Sequence, residues 1–418
     1  MNFYNDILND VLYSCGHFGS INELQTPGVL VYDEGGWDRL SETVSAVGQV
    51  QDIIVFHDSV FIGGSQLGSL KKWNGTNWVL VGGKEINGQI VDLEIIDHEL
   101  WVAGYFDSIG NQQTNGLARW NGEEWKTAYD LPTIDPWGNP NRISAVIEYK
   151  GEIYIGGNFN NAETGMDEIA KWNGTEWTDV GGGIKPHTFS FVNNFIEYHG
   201  DLYVLGRFLS DAGNADNNIM RWNGEEWLPC GGGLMSSAGY ATVFEDKLWV
   251  TGQMSSAAGM PADGLAVWDG EEWCVPGNEF SSWPGPLAVY NDSLFIGGGF
   301  QTIDGDSFSY LAKWTGEGEF DTCGVQWPNG STELGSNDDE VLVYPNPATD
   351  QLTVQLPERA QQTAGLNIYA VDGRCVVQSI IVSSKDKVQL DISALSKGMY
   401  VLVVHSGSET FTARFVKQ

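Results

Sequence analysis

Short runs of alternating apolar and polar residues, bounded by Gly, Asn and Asp, mark most of this chain as strand and turn. One run is written Leu-Tyr-Val-x-Gly-x-Phe or nearly so and occurs at residues 12–18, 60–64, 100–106, 153–159, 202–208, 248–254 and 294–300. Ahead of most of these lies a second apolar run that ends in a tight polar turn, as in residues 143–149 before Lys150-Gly151 or residues 192–198 before His199-Gly200. Behind them comes a tryptophan hairpin, Trp-[Asn/Asp]-Gly-x-x-Trp. It is complete at residues 73–78, 120–125, 172–177, 222–227 and 268–273, and degenerate at 32–37 and 314–320. Leading aromatics at 32, 73, 120, 172, 222, 268 and 314 are separated by steps of 41, 47, 52, 50, 46 and 46 residues. Spacing of that size is the signature of a propeller blade.

Each repeat therefore predicts four short strands joined by turns. Asn-Gly tolerates the positive φ of a type I′ turn, so the third and fourth strands are expected to form a two-residue hairpin. A four-stranded sheet that is apolar on both faces cannot stand alone, and radial stacking of copies buries it. The fold class is all-β, with residues 1–324 expected as a seven-bladed β-propeller. Only residues 1–9 precede the second strand of the first repeat, so its first strand is expected to be short or missing. The run Ile155-Gly156-Gly157, then Trp172, then Trp177 resembles kelch-type propellers, with Trp in place of the family's usual Tyr and Asn-Gly in place of its Asp-Pro turn. That resemblance implies an architecture but no single activity.

Residues 325–340 are rich in Asn, Gly, Ser and Asp without periodicity and read as a linker. From Val341 the alternation returns at 351–356, 366–371, 387–392, 399–404 and 410–416. About seven short strands in residues 341–418 predict a small Ig-like β-sandwich. Tyr344-Pro345-Asn346-Pro347-Ala348, Asp372-Gly373-Arg374, Leu390-Asp391-Ile392-Ser393, Gly398-Met399-Tyr400 and the terminal Arg414-Phe415-Val416-Lys417-Gln418 stand in order along it. Together they resemble the type A C-terminal sorting domain of type IX secretion. The resemblance implies export through the inner membrane by a signal peptide and then passage across the outer membrane. The type IX machinery is the implied partner, and the outside or outer surface of a Gram-negative bacterium the implied location. The chain starts Met1-Asn2-Phe3-Tyr4 without the basic and apolar regions of a signal peptide, so the natural N-terminus is expected further upstream.

Net charge is −34, and residues 341–418 carry 7 Lys/Arg against 6 Asp/Glu, leaving −35 on residues 1–340. Such a surface repels phosphate backbones and anionic lipids, which argues against nucleic acid and peripheral membrane partners. No apolar run approaches a membrane span. Five cysteines without C-x-x-C spacing suggest no zinc site. Cys15 and Cys323 would be neighbours in a closed ring, either as a disulfide or as buried thiols. His57, His98 and His199 occupy equivalent short turns between first and second strands, and repetition at a turn is a structural signature. No nucleophile elbow, His-Glu-x-x-His or ligand cluster appears, and neither a cofactor nor a catalytic set is expected. The glycines at 181–183 follow a strand and open no helix, against a phosphate loop. Asp304-Gly305-Asp306 lacks the further acids of a calcium loop.

Loop length carries the functional clue. Connections between second and third strands, and from the fourth to the next repeat, are long and varied, and in an up-and-down sheet they emerge on one face. Variable loops on a rigid scaffold are where function concentrates. Three carry aromatics foreign to the repeat: Trp137, Phe189 and Trp283. With Asp135, Arg142 and His187 they are the candidate ligand-binding residues, flat rings beside hydrogen-bonding groups suited to a glycan or an extended protein segment. The alternative to recognition is packing of these rings against neighbouring loops. The function expected is a secreted or cell-surface binding or adhesion module. Its rival is a carbohydrate-active hydrolase or lyase using carboxylates on the same face. The sorting-signal residues are Tyr344, Pro345, Asn346, Pro347, Asp372, Gly373, Gly398, Tyr400 and Lys417.

Overall fold

Antiparallel sheets of four strands follow one another from the N-terminus, and each is an up-and-down meander. The third is typical, with Gln89–Ile96, Glu99–Tyr105, Leu117–Trp120 and Trp125–Thr127 paired in that order. The computed structural model describes residues 2–314 and 341–417, except 17–19, 22–23, 26–27, 34–35, 41–48, 66–69, 130, 132–140, 162–165, 183, 185–189, 209–215, 309, 345–347, 357–362, 371–374, 384–386 and 407–408. It divides into two units, Met1–Glu319 and Phe320–Gln418. No helix among the described residues is long and apolar enough to cross a membrane.

Six sheets in the first unit have four strands, and the seventh has three among the described residues, Pro284–Tyr290, Ser293–Gly298 and Leu311–Lys313. The first sheet is complete: Asn2–Asp6 pairs along its whole length with Val11–Cys15, so the first strand is present but short, five residues against seven or eight in the other first strands. The first strand of each sheet packs against the first strand of the next, and that of the seventh against that of the first. Asn5 Nδ2 donates to the Val289 carbonyl at 2.7 Å, and Tyr290 Oη to that of Asp10 at 2.8 Å. Phe3 and Leu12 share a buried cluster with Ala288, Tyr290 and Phe295. Cores lie between sheets, as two-faced apolar strands require.

The turns differ from expectation in an informative way. Trp73 pairs with Trp78, so the third and fourth strands are joined by four residues and not by a type I′ pair. Asn74 Oδ1 accepts the N–H groups of Thr76 and Asn77 at 3.0 and 2.8 Å, and only Gly75 takes positive φ. Asp269 does the same with Glu271 and Glu272, which explains why Asp replaces Asn there and nothing larger does. Two-residue turns with both φ angles positive lie instead between first and second strands, at His57-Asp58, Asp97-His98 and His199-Gly200.

The tryptophans tie sheet to sheet. Trp125 Nε1 donates to Val81 O, Trp177 to Ala128 O, Trp227 to Val180 O and Trp273 to Cys230 O, each acceptor just beyond the fourth strand of the preceding sheet. A glycine follows three of these acceptors and lies under the ring pair. At Gly181 (φ +58°) an added Cβ would sit 2.5 Å from Trp222 Cζ3. Gly181→Ala is expected to lower stability by about 2 kcal/mol through left-handed backbone and overpacking, read as a lower urea midpoint at unchanged m.

Cys15 is a buried free thiol, one of the two states its ring position left open, and burial raises its pKa; Cys323 lies outside the described residues. Cys274, on a fourth strand, is disulfide-bonded instead, as suits an oxidising compartment.

The second unit holds a three-stranded sheet (Leu342–Tyr344, Gln351–Gln355, Lys387–Asp391) and a four-stranded one (Thr363–Ala370, Cys375–Ser383, Gly398–Ser406, Glu409–Lys417). Leu352, Leu390, Leu402 and Phe415 meet in one core drawn from both.

Candidate functional site

Alternation breaks once in most first strands, and the break builds the site. Register shifts at Gln51, Val91, Ser144, Asn193 and Gly239 insert one residue opposite the second strand. A bulge re-aims its side chain. All five of these residues line one cavity of about 850 Å³, to which the first and seventh first strands add Asn2 and Pro284. Every first strand of the unit thus contributes to a single wall.

Amides and hydroxyls dominate that wall. Among the described residues, Asn, Gln and Ser supply 10 of its 21 lining residues, and Arg207 and Asp92 are its only charged groups. Aromatics stand among them: Tyr105, Phe191, Phe208, Tyr240 and Trp283. Tyr105 Oη and Ser144 Oγ are 3.1 Å apart, and the Asn193 amide donates to Ala238 O at 2.9 Å, bridging adjacent first strands.

Carboxylates occupy equivalent places immediately after the bulges of two first strands. Asp52 accepts N–H from Ile53 at 2.8 Å and from Leu93 of the next sheet at 2.6 Å, and also accepts from the Asn2 amide. Asp92 accepts from Val146, again one sheet on, at 2.7 Å. A second cavity of about 310 Å³ opens beside Asp52, Asp92 and Glu94. Burial raises the pKa of all three. Mutual repulsion adds to this for Asp92 and Glu94, and Glu94 is pushed up to about 7. With backbone amides filling their lone pairs, Asp52 and Asp92 are lateral ties between sheets.

Glu168 stands apart. It occupies a left-handed position (φ +63°) at the register break inside the third strand Met166–Trp172, the place that Gly116, Asn218 and Gly264 hold just ahead of the third strands of other sheets. Asn218 satisfies itself there, accepting from Phe208 N–H and donating to Leu234 O. Glu168, 3 % exposed, accepts from Ser190 Oγ at 3.0 Å, and its Oε2 is buried without a hydrogen-bond partner. Burial pushes its pKa up to about 8.

Of the six candidate binding residues, Trp283 lines the cavity and is 59 % exposed. Arg142, also exposed, lies with its guanidinium carbon 5.9 Å from the ring centre of Tyr105. Asp135, Trp137, His187 and Phe189 lie outside the described residues. Sequence reasoning missed Gln51, Ser144, Asn193 and Tyr240. Their only signal is a polar pair or small residue interrupting an apolar first strand, as in Val50-Gln51-Asp52-Ile53. Asp304-Gly305 is a hairpin turn whose Asp304 carboxylate accepts from Glu279 N–H at 2.7 Å. No group of three His, Cys, Asp or Glu able to hold a metal occurs among the described residues.

In the second unit, Tyr400 is buried, stacks on Phe415 at 5.5 Å and donates to Ser396 O. Gly398 pairs with Lys417, which is 8 % exposed with Nζ 3.8 Å from Asp350. Tyr344 ends its strand, and Pro345, Asn346, Pro347, Asp372 and Gly373 lie outside the described residues. Residues 342–418 match the family model described as a secretion system C-terminal sorting domain. The chain thus carries a type IX sorting domain, which implies export by that system. No curated protein matches the chain.

Proposed function

We propose that this exported chain is a ligand-binding module, with residues 1–324 as a closed seven-bladed, kelch-like β-propeller, residues 325–340 as linker and residues 341–418 as an Ig-like sandwich that serves as the export address. The ring reading is supported by the unbroken sequence of first-strand contacts and by the bonds from Asn5 and Tyr290 between sheets one and seven. Its working location is the cell surface or the medium of a Gram-negative bacterium. A glycan or protein is held without covalent chemistry at the long-loop face. The observation that carries this reading is Trp283, an exposed ring at a polar cavity, because large exposed aromatics beside hydrogen-bonding groups mark recognition sites.

The test is binding of the full chain to immobilised glycans and surface polymers, with hydrolysis assayed in parallel. Trp283→Ala is expected to weaken binding by about tenfold or more while changing stability by less than about 0.5 kcal/mol. Unchanged binding in that variant removes the face from the proposal. A hydrolase or lyase is the second reading, favoured by Asp92, which lines both cavities and has a raised pKa. Turnover lost in Asp92→Asn would establish it.

A further inference from the structure

The geometry points to a neutral, hydroxyl-rich saccharide as the ligand, its chain end seated in the 850 Å³ cavity. This inference rests on the proposed binding role and narrows it.

Charge is the first argument. The first 340 residues carry −35, yet among the described residues the wall holds one cation and one carboxylate. A site for a cationic ligand would draw on the abundant carboxylates, and a site for a polyanion would need a basic cluster to offset the surrounding field. Among its described residues the wall has neither.

Hydrogen-bond chemistry is the second. Amides and hydroxyls both donate and accept, which matches a sugar hydroxyl, itself donor and acceptor. Gln51 on a bulge and Gln253 at an exposed edge bring such groups to the cavity from separate sheets. Ring faces are the third. Trp283 and Tyr105 are 59 % and 39 % exposed and line the same space, suited to the apolar face of a pyranose. The volume falls within the range of sites that enclose a small ligand, about 300–1,000 Å³.

The experiment is calorimetric titration of the full chain with short neutral gluco-, manno- and xylo-oligosaccharides, with polygalacturonate, heparin and gelatin as counterparts. At least one neutral series is expected to bind, with an affinity that changes less than about twofold when salt is raised to about 0.5 M, because no ion pair is screened. Gln51→Ala and Gln253→Ala are each expected to weaken it by about tenfold, the worth of a lost buried hydrogen bond. Gln253 is exposed, so its variant reads binding even if Gln51→Ala unfolds. Binding of polygalacturonate, heparin or gelatin alone, lost in Trp283→Ala, overturns the saccharide inference but keeps the binding face. Neutral-sugar binding indifferent to both glutamines also overturns it. Silence from every probe overturns the inference and the binding role together.

Discussion

Raising the pH from about 5 to about 8 should destabilise the folded protein, with Glu168 alone contributing about 3 kcal/mol. Its carboxyl is 3 % exposed, holds its proton up to about pH 8 when folded, and releases it near the ordinary value of 4.5 when unfolded. Between those values the folded chain binds more protons, so stability is fully present below about pH 4.5, falls as pH rises, and levels off above about 8. Asp52, Asp92 and Glu94 shift in the same direction and steepen the fall. Surface self-repulsion acts in the same sense but is screened by salt, whereas the buried contribution is not. Urea unfolding at each pH in about 0.5 M salt measures the difference. Glu168→Gln is expected to flatten the profile, and an equally steep profile in that variant would refute the assignment.

Trp273→Ala should cost about 3–5 kcal/mol. The side chain is 2 % exposed, packs on Trp268 with ring centres 5.3 Å apart, and donates from Nε1 to Cys230 O at 2.6 Å. Truncation opens a cavity between sheets and leaves the Cys230 carbonyl with the Gly233 N–H at 3.2 Å as its remaining donor. Trp273→Phe keeps most of the apolar contact and loses the hydrogen bond, for an expected loss of about 1–2 kcal/mol. Denaturant midpoints rank the variants, and a Trp273→Ala loss no larger than that of Trp283→Ala would break the distinction between packing and exposed aromatics.

That distinction was legible in the sequence, because it rests on regularity. A tryptophan recurring at the same offset in successive repeats meets the same neighbour each time, and the acceptors of Trp125, Trp177, Trp227 and Trp273 bear this out. Trp283 breaks the repeat, and it is exposed. The turn types were misread because Asn-Gly suits two different loops. The side chain of Asn74, by accepting two backbone N–H groups, selects the longer one. Adjacency in a ring does not fix a bond, so the sequence left Cys15 between disulfide and thiol, and the structure shows a thiol buried among apolar side chains.

By itself, the sequence determined the strands, their antiparallel pairing within each repeat and the apolar faces that force the sheets together, since these follow from local periodicity and turn chemistry. It also determined the export address, written as motifs in order along residues 342–418. Tertiary structure alone decided the bulges that bring Gln51, Ser144 and Asn193 to one cavity, the lateral ties of Asp52 and Asp92, and the buried carboxyl of Glu168. The physical reason is common to all of these. A bulged side chain, a carboxylate bonded to the next sheet and a desolvated acid are each defined by residues some twenty or more positions away, and no local pattern records that proximity.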